Sequence, residues 1–111
     1  MEYQGEKGME KRVEIPLNCL FQACYNPVLE EEILRSKEKC WQFNQTNPND
    51  RKRQRQILEG LLGGMGEEAT FNPAFWCDYG YHIFVGDFFY ANHNLVITDG
   101  AEVVFGNHVF I

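Results

Sequence analysis

Seven pairs of apolar residues, each pair with one residue between its partners, run through the second half of this chain and constrain its fold more than anything else in it. They are Ala69/Phe71, Phe75/Cys77, Ile83/Val85, Phe89/Ala91, Leu95/Ile97, Val103/Phe105 and Val109/Ile111. Successive pairs begin 6, 8, 6, 6, 8 and 6 residues apart, a cycle of twenty that runs through twice. Side chains two apart in a strand point to the same face, so each pair reads as one short strand with two inward side chains. Three such strands per cycle, joined by tight corners, predict a three-sided coil, and stacked coils bury one continuous core. The whole chain has 111 residues, 44% of them hydrophobic, enough for one modest domain with a packed interior.

The formal charge of −6 argues against a general nucleic-acid binder, which carries a basic surface. The four cysteines, Cys19, Cys24, Cys40 and Cys77, form no Cys-x-x-Cys motif. The start, Met-Glu-Tyr-Gln-Gly-Glu-Lys, has no apolar core of a secretory signal, and no stretch reaches the ~18 apolar residues of a membrane span. A cytoplasmic protein with reduced thiols is the expectation. Cys77 falls in an inward slot, as a small hydrophobe.

Residues 1–20 are weakly patterned and predict a loose lead-in. A first helix is predicted over residues 28–42, capped by Asn26 with Pro27 at its first position. Its apolar stripe is Val28, Leu29, Ile33, Leu34 and Trp41, which places Trp41 in the core, with Glu30, Glu31 and Glu32 in the first turns. A second helix is predicted from about Asp50 to Leu62, with Ile57, Leu58, Leu61 and Leu62 on its apolar face. Gly63-Gly64-Met65-Gly66 stops it, giving a helical part over residues 1–66 and coils over residues 67–111. The run Arg51-Lys52-Arg53-Gln54-Arg55 reads as a solvated helix face.

Ile83-Phe84-Val85-Gly86-Asp87 and Val103-Val104-Phe105-Gly106-Asn107 lie twenty residues apart and in phase with the pairs. The glycine answers a corner that needs positive φ or close backbone approach. These segments resemble the hexapeptide repeat of left-handed parallel β-helix acyltransferases. Together with Trp41-Gln42-Phe43-Asn44-Gln45-Thr46, the Arg-rich second helix, Cys77-Asp78-Tyr79-Gly80-Tyr81 and Phe89-Tyr90-Ala91-Asn92-His93-Asn94, they resemble the N-terminal part of the maltose/galactoside O-acetyltransferase family over residues 25–111.

The resemblance implies a mainly β fold with an α-helical N-terminal part: a left-handed parallel β-helix of about two coils, truncated at its C-terminal end. It implies acetyl-CoA as cofactor, a sugar hydroxyl as acceptor and a trimeric assembly. Carried over by motif, the acceptor-binding residues are Asp78, Tyr90, Asn92 and Asp99; Asp99-Gly100 also reads as a plain turn. Asp and Asn suit sugar hydroxyls, and an aromatic wall suits the apolar face of a pyranose. The family's general-base histidine has no counterpart here, because His82, His93 and His108 do not match its position, and the coils that hold acetyl-CoA lie further on. The expectation is therefore an acetyltransferase relative with no catalytic residue in these 111 positions and little or no turnover. The competing reading is a non-enzymatic β-helix module for oligomerisation or sugar binding. A metal site is not expected, and His82 is expected on the surface. Trp76, Phe84, Phe88 and Phe110 lie outside the inward set, and such outward aromatics favour a buried oligomer face.

Overall fold

The computed structural model describes residues 26–111, so the expectation for residues 1–20, and Cys19 and Cys24, lie outside the described residues. Two helices, α1 (Pro27–Gln45) and α2 (Arg51–Leu61), precede seven short strands. These are β1 (Gly64–Met65), β2 (Thr70–Phe71), β3 (Phe75–Cys77), β4 (Ile83–Val85), β5 (Tyr90–Ala91), β6 (Leu95–Ile97) and β7 (Val103–Phe105). All ladders are parallel and form three sides: β1-β4-β7, β2-β5 extended by a bridge from Tyr90 to Phe110, and β3-β6. Every register steps by twenty, as in Trp76 to Val96 and Phe84 to Val104. The coils begin at Gly64, not near residue 67. A two-residue strand containing a glycine carries no apolar pair, so the sequence pattern reads it as part of the helix stop.

The inward pairs form the core. Phe71, Phe75, Cys77, Ile83, Val85, Phe89 and Ala91 are fully buried, whereas Val103, Phe105 and Val109 are half-buried and Ile111 is exposed. Helix α2 adds Ile57, Leu58 and Leu61 to the same cluster, so the helical pair plugs the first coil. Asn26 caps α1 by accepting from the N–H groups of Val28 (3.0 Å) and Leu29 (3.3 Å). Asp50 caps α2 from the Arg53 N–H (3.1 Å).

The buried face of α1 differs from the predicted stripe. Leu29, Glu32, Ser36, Cys40 and Phe43 point inward, while Val28, Leu34 and Trp41 are exposed, Trp41 by 53%. Polar residues stand in the stripe because they have partners there. The Tyr81 hydroxyl donates to Glu32 Oε1 (2.7 Å), and Ser36 Oγ donates to the carbonyls of Cys77 and Asp78. Asn44 grips Phe75 at both its N–H (2.8 Å) and its carbonyl (3.1 Å), and the Cys40 and Cys77 sulfurs lie 3.7 Å apart. That sulfur contact pushes the Cys77 thiol up, reinforced by burial.

Two more expectations change. Phe84 leaves the inward set yet is fully buried, because its ring lies against Gly63 where α2 enters β1. Trp76 is half-buried against the core, while Phe88 and Phe110 are exposed. The corners also divide their labour differently. At this corner the left-handed positions are Glu68, Phe88 and His108 (φ 54°, 57° and 59°), twenty residues apart, not Gly86 or Gly106, and Asn94 is left-handed at another corner (φ 67°). Gly86 is needed for close approach, since a Cβ there would lie 2.7 Å from the Gly106 carbonyl carbon. Side-chain oxygens tie the same corner from coil to coil: Asp87 accepts from the Glu67 N–H (2.9 Å) and Asn107 from the Asp87 N–H (2.8 Å).

Candidate functional site

The four residues singled out by motif do not converge on one pocket. Asp78 follows β3 and sits beside α1. Its carboxylate is half-buried and 3.5 Å from Lys37 Nζ, which also donates to the Cys77 carbonyl (3.2 Å). Lys37 and Ser36 thus fix the β3 end from one turn of α1, a clamp the predicted stripe did not show.

Tyr90 and Asn92 lie on β5 and the corner after it. The Tyr90 hydroxyl accepts from Asn72 Nδ2 (2.9 Å), and its ring stacks on Phe110 with centroids 5.6 Å apart. Asn92 is exposed, its Oδ1 accepting from the His93 N–H (2.8 Å). His93 Nδ1 in turn meets the Pro73 carbonyl across the coils. The hydroxyl, amide and imidazole of this corner therefore sit at a surface with defined orientations.

Asp99 is placed otherwise. Its side chain is fully buried, with Oδ1 accepting from the N–H groups of Asp78 (3.0 Å) and Tyr79 (2.9 Å) and Oδ2 from Gly80 (2.7 Å). Gly80 turns there with φ +82°. The carboxylate binds the corner of the coil below it and has no face left for a ligand, so the turn reading describes it better than the acceptor-binding one. Burial pushes its carboxyl up from the ordinary value, and the N–H donors of Tyr79 and Gly80 pull the other way. His82, expected on the surface, is buried for the same reason: its Nδ1 meets the Asp99 carbonyl (2.6 Å), and its ring packs on Tyr79 and Tyr81. His108 stacks on Phe88. Among the described residues no three His, Cys, Asp or Glu side chains are grouped as metal ligands. No described helix is long and apolar enough to cross a membrane.

The remaining feature is a cleft of ≈ 890 Å³ between α2 and the first coil, lined by Arg51, Gln54 and Arg55 on one side and by Glu67, Glu68 and Tyr90 among others on the opposite side. The basic run of α2 is the expected solvated face at Arg51, Lys52 and Arg53, while Gln54 is buried and Arg55 half-buried. Arg55 is held by Glu59 (3.1 Å) and donates to the Met65 carbonyl (3.4 Å).

Residues 20–66 match the family model described as the maltose acetyltransferase hexapeptide capping motif. An inferred acetyltransferase of Saccharomyces cerevisiae is 45% identical over 92 residues, covering 83% of this chain and 47% of that protein. A maltose O-acetyltransferase from Clostridium difficile has a TM-score of 0.77 at 26% identity, over 83% of this chain and 51% of that one. A galactoside acetyltransferase solved with coenzyme A gives 0.73 at 28%, over 84% and 49%. These solved neighbours are hexapeptide-repeat acetyltransferases, the left-handed parallel β-helix class. The chain spans about half the length of each of these proteins.

Proposed function

The chain carries the N-terminal part of the maltose/galactoside O-acetyltransferase family of hexapeptide-repeat acyltransferases, and from that premise we propose that it forms the acceptor half of an acetyl-CoA-dependent sugar O-acetyltransferase. The observation that carries this reading is the corner after β5, where Asn92 stands exposed beside a Tyr90 ring whose hydroxyl is fixed by Asn72. An amide can donate to and accept from a sugar hydroxyl, and the ring offers a pyranose its apolar face. Asp78, 3.5 Å from Lys37 beyond the end of β3, is a second acceptor contact on a different corner.

Coenzyme A supplies the activated acetyl group in this family. The described residues do not fit its polyphosphate: the cleft sets Arg51 and Arg55 against Glu67 and Glu68, and Arg55 is already engaged by Glu59. We derive no transfer step in these 111 residues. The chain alone is expected to bind a sugar and not to acetylate it.

Calorimetry with a panel of sugars, alongside an acetyl-CoA assay, tests this. Weak sugar binding that Asn92→Ala and Asp78→Asn reduce, without turnover, supports the acceptor half. Turnover above background contradicts the missing base, and no binding to any sugar leaves the assembly module as the better reading. Exposed Val96, Val104 and Phe110 favour homo-oligomerisation, the trimer of the family, within either reading.

A further inference from the structure

We propose that the cleft between α2 and the first coil is a second binding site, for a neutral sugar of one or two rings; the ligand class rests on the acceptor reading, while the site is separate from Asp78 and borders the acceptor corner at Tyr90. Its volume of ≈ 890 Å³ lies within the roughly 300–1,000 Å³ usual for small-molecule sites. Charges of both signs line it, with Arg51 and the Glu59-paired Arg55 on the helix and Glu67 and Glu68 on the coil. A phosphorylated ligand meets two carboxylates there and a cationic one meets the Arg51 guanidinium. A neutral polyol is the ligand that uses both, donating to the carboxylates and accepting from Arg51.

Two further features point the same way. Tyr90 contributes an aromatic wall, and its hydroxyl bond to Asn72 holds the ring in place. Gln54 is 97% buried on the α2 wall: its Oε1 accepts from Arg51 (3.4 Å), but its Nε2 has no hydrogen-bond partner among the described residues. A buried N–H without an acceptor is costly, and a ligand oxygen that reaches it as the amide turns from Arg51 removes that cost. An apolar residue would fill this slot without the penalty, losing only the bond from Arg51.

The test is saturation-transfer NMR and calorimetry on the 111-residue chain, with maltose as the neutral probe and glucose 6-phosphate as the charged one. Gln54→Leu keeps the volume and removes the amide, and its melting temperature should be at or above the parent's. The expected result is maltose affinity lowered about five- to tenfold by Gln54→Leu, the loss of one hydrogen bond. Glucose 6-phosphate should bind more weakly than maltose. Unchanged affinity in Gln54→Leu, tighter binding of the phosphosugar, or no maltose signal overturns the proposal. If Asn92→Ala and Asp78→Asn weaken maltose while Gln54→Leu does not, this site falls and the acceptor reading stands. The reverse pattern removes the acceptor corner and keeps the cleft.

Discussion

Replacing Gly86 by alanine should destabilise the chain by about 2–3 kcal/mol, whereas the same change at Gly106, its partner twenty residues on, should be neutral or slightly stabilising. The two positions occupy the same place in successive hexapeptides, and neither has positive φ. They differ in what lies above them. A Cβ at Gly86 would come 2.7 Å from the Gly106 carbonyl carbon, and nothing lies within 4 Å of a Cβ at Gly106. Relief at Gly86 requires the coils to part, which in a packed interior costs about 1–3 kcal/mol. It also strains two bonds at the corner, Asp87 N–H to Asn107 (2.8 Å) and Gly86 N–H to the Phe105 carbonyl (3.0 Å), each contributing about 1 kcal/mol. Restricting the unfolded chain returns roughly 0.4–1 kcal/mol in both variants. Urea titration followed by circular dichroism reads the difference. With a slope of about 2 kcal/mol per molar, Gly86→Ala should lower the midpoint by about 1–1.5 M, and Gly106→Ala should not lower it. Equal midpoints would show that the coils do not touch at this corner.

Asp99→Ala leaves three N–H groups without their carboxylate, two of them buried, and should cost about 3 kcal/mol, seen as a fall in the melting temperature of more than about 10 °C. Asp99→Asn tests the titration of the same group. Because burial raises the folded-state value above the unfolded one, ionisation costs the native state more than the unfolded chain as pH rises from about 4 through the raised value. The stability of the parent should therefore fall relative to Asp99→Asn across that window, as denaturant midpoints at several pH values would report. A parent that gains on the variant as pH rises contradicts the assigned direction. Phe84→Ala should cost about 3–5 kcal/mol because the ring is fully buried against Gly63; a loss below about 1 kcal/mol in the same titration would place the ring at a surface.

The coil was legible because a strand's two-residue alternation and the twenty-residue return are both written in the apolar residues, and Ile83, Val85, Phe89 and Ala91 are buried where that pattern puts them. What escaped it were positions where a polar group has a fixed partner far away in sequence. Glu32 and Ser36 break an apolar stripe but meet Tyr81 and the β3 end, and Asp99 resembles a turn residue until its three N–H partners are seen. Hydrophobicity alone chose Trp41 over them, and the helix phase set by Leu29, Cys40 and Phe43 reverses that choice. At the candidate site, motif likeness located Tyr90 and Asn92 on an exposed corner, but Gln54 carries no signal in a run of arginines. Only the packing of α2 on the first coil reveals its buried amide.

The account depends on parallel coils stacked at a step of twenty residues. Nuclear Overhauser contacts across the strands of the labelled chain test this directly. The prediction is backbone contacts joining Thr70 to Tyr90, Trp76 to Val96 and Phe84 to Val104, in the parallel pattern. Close Hα–Hα contacts between sequential strands, the mark of antiparallel hairpins, would contradict it.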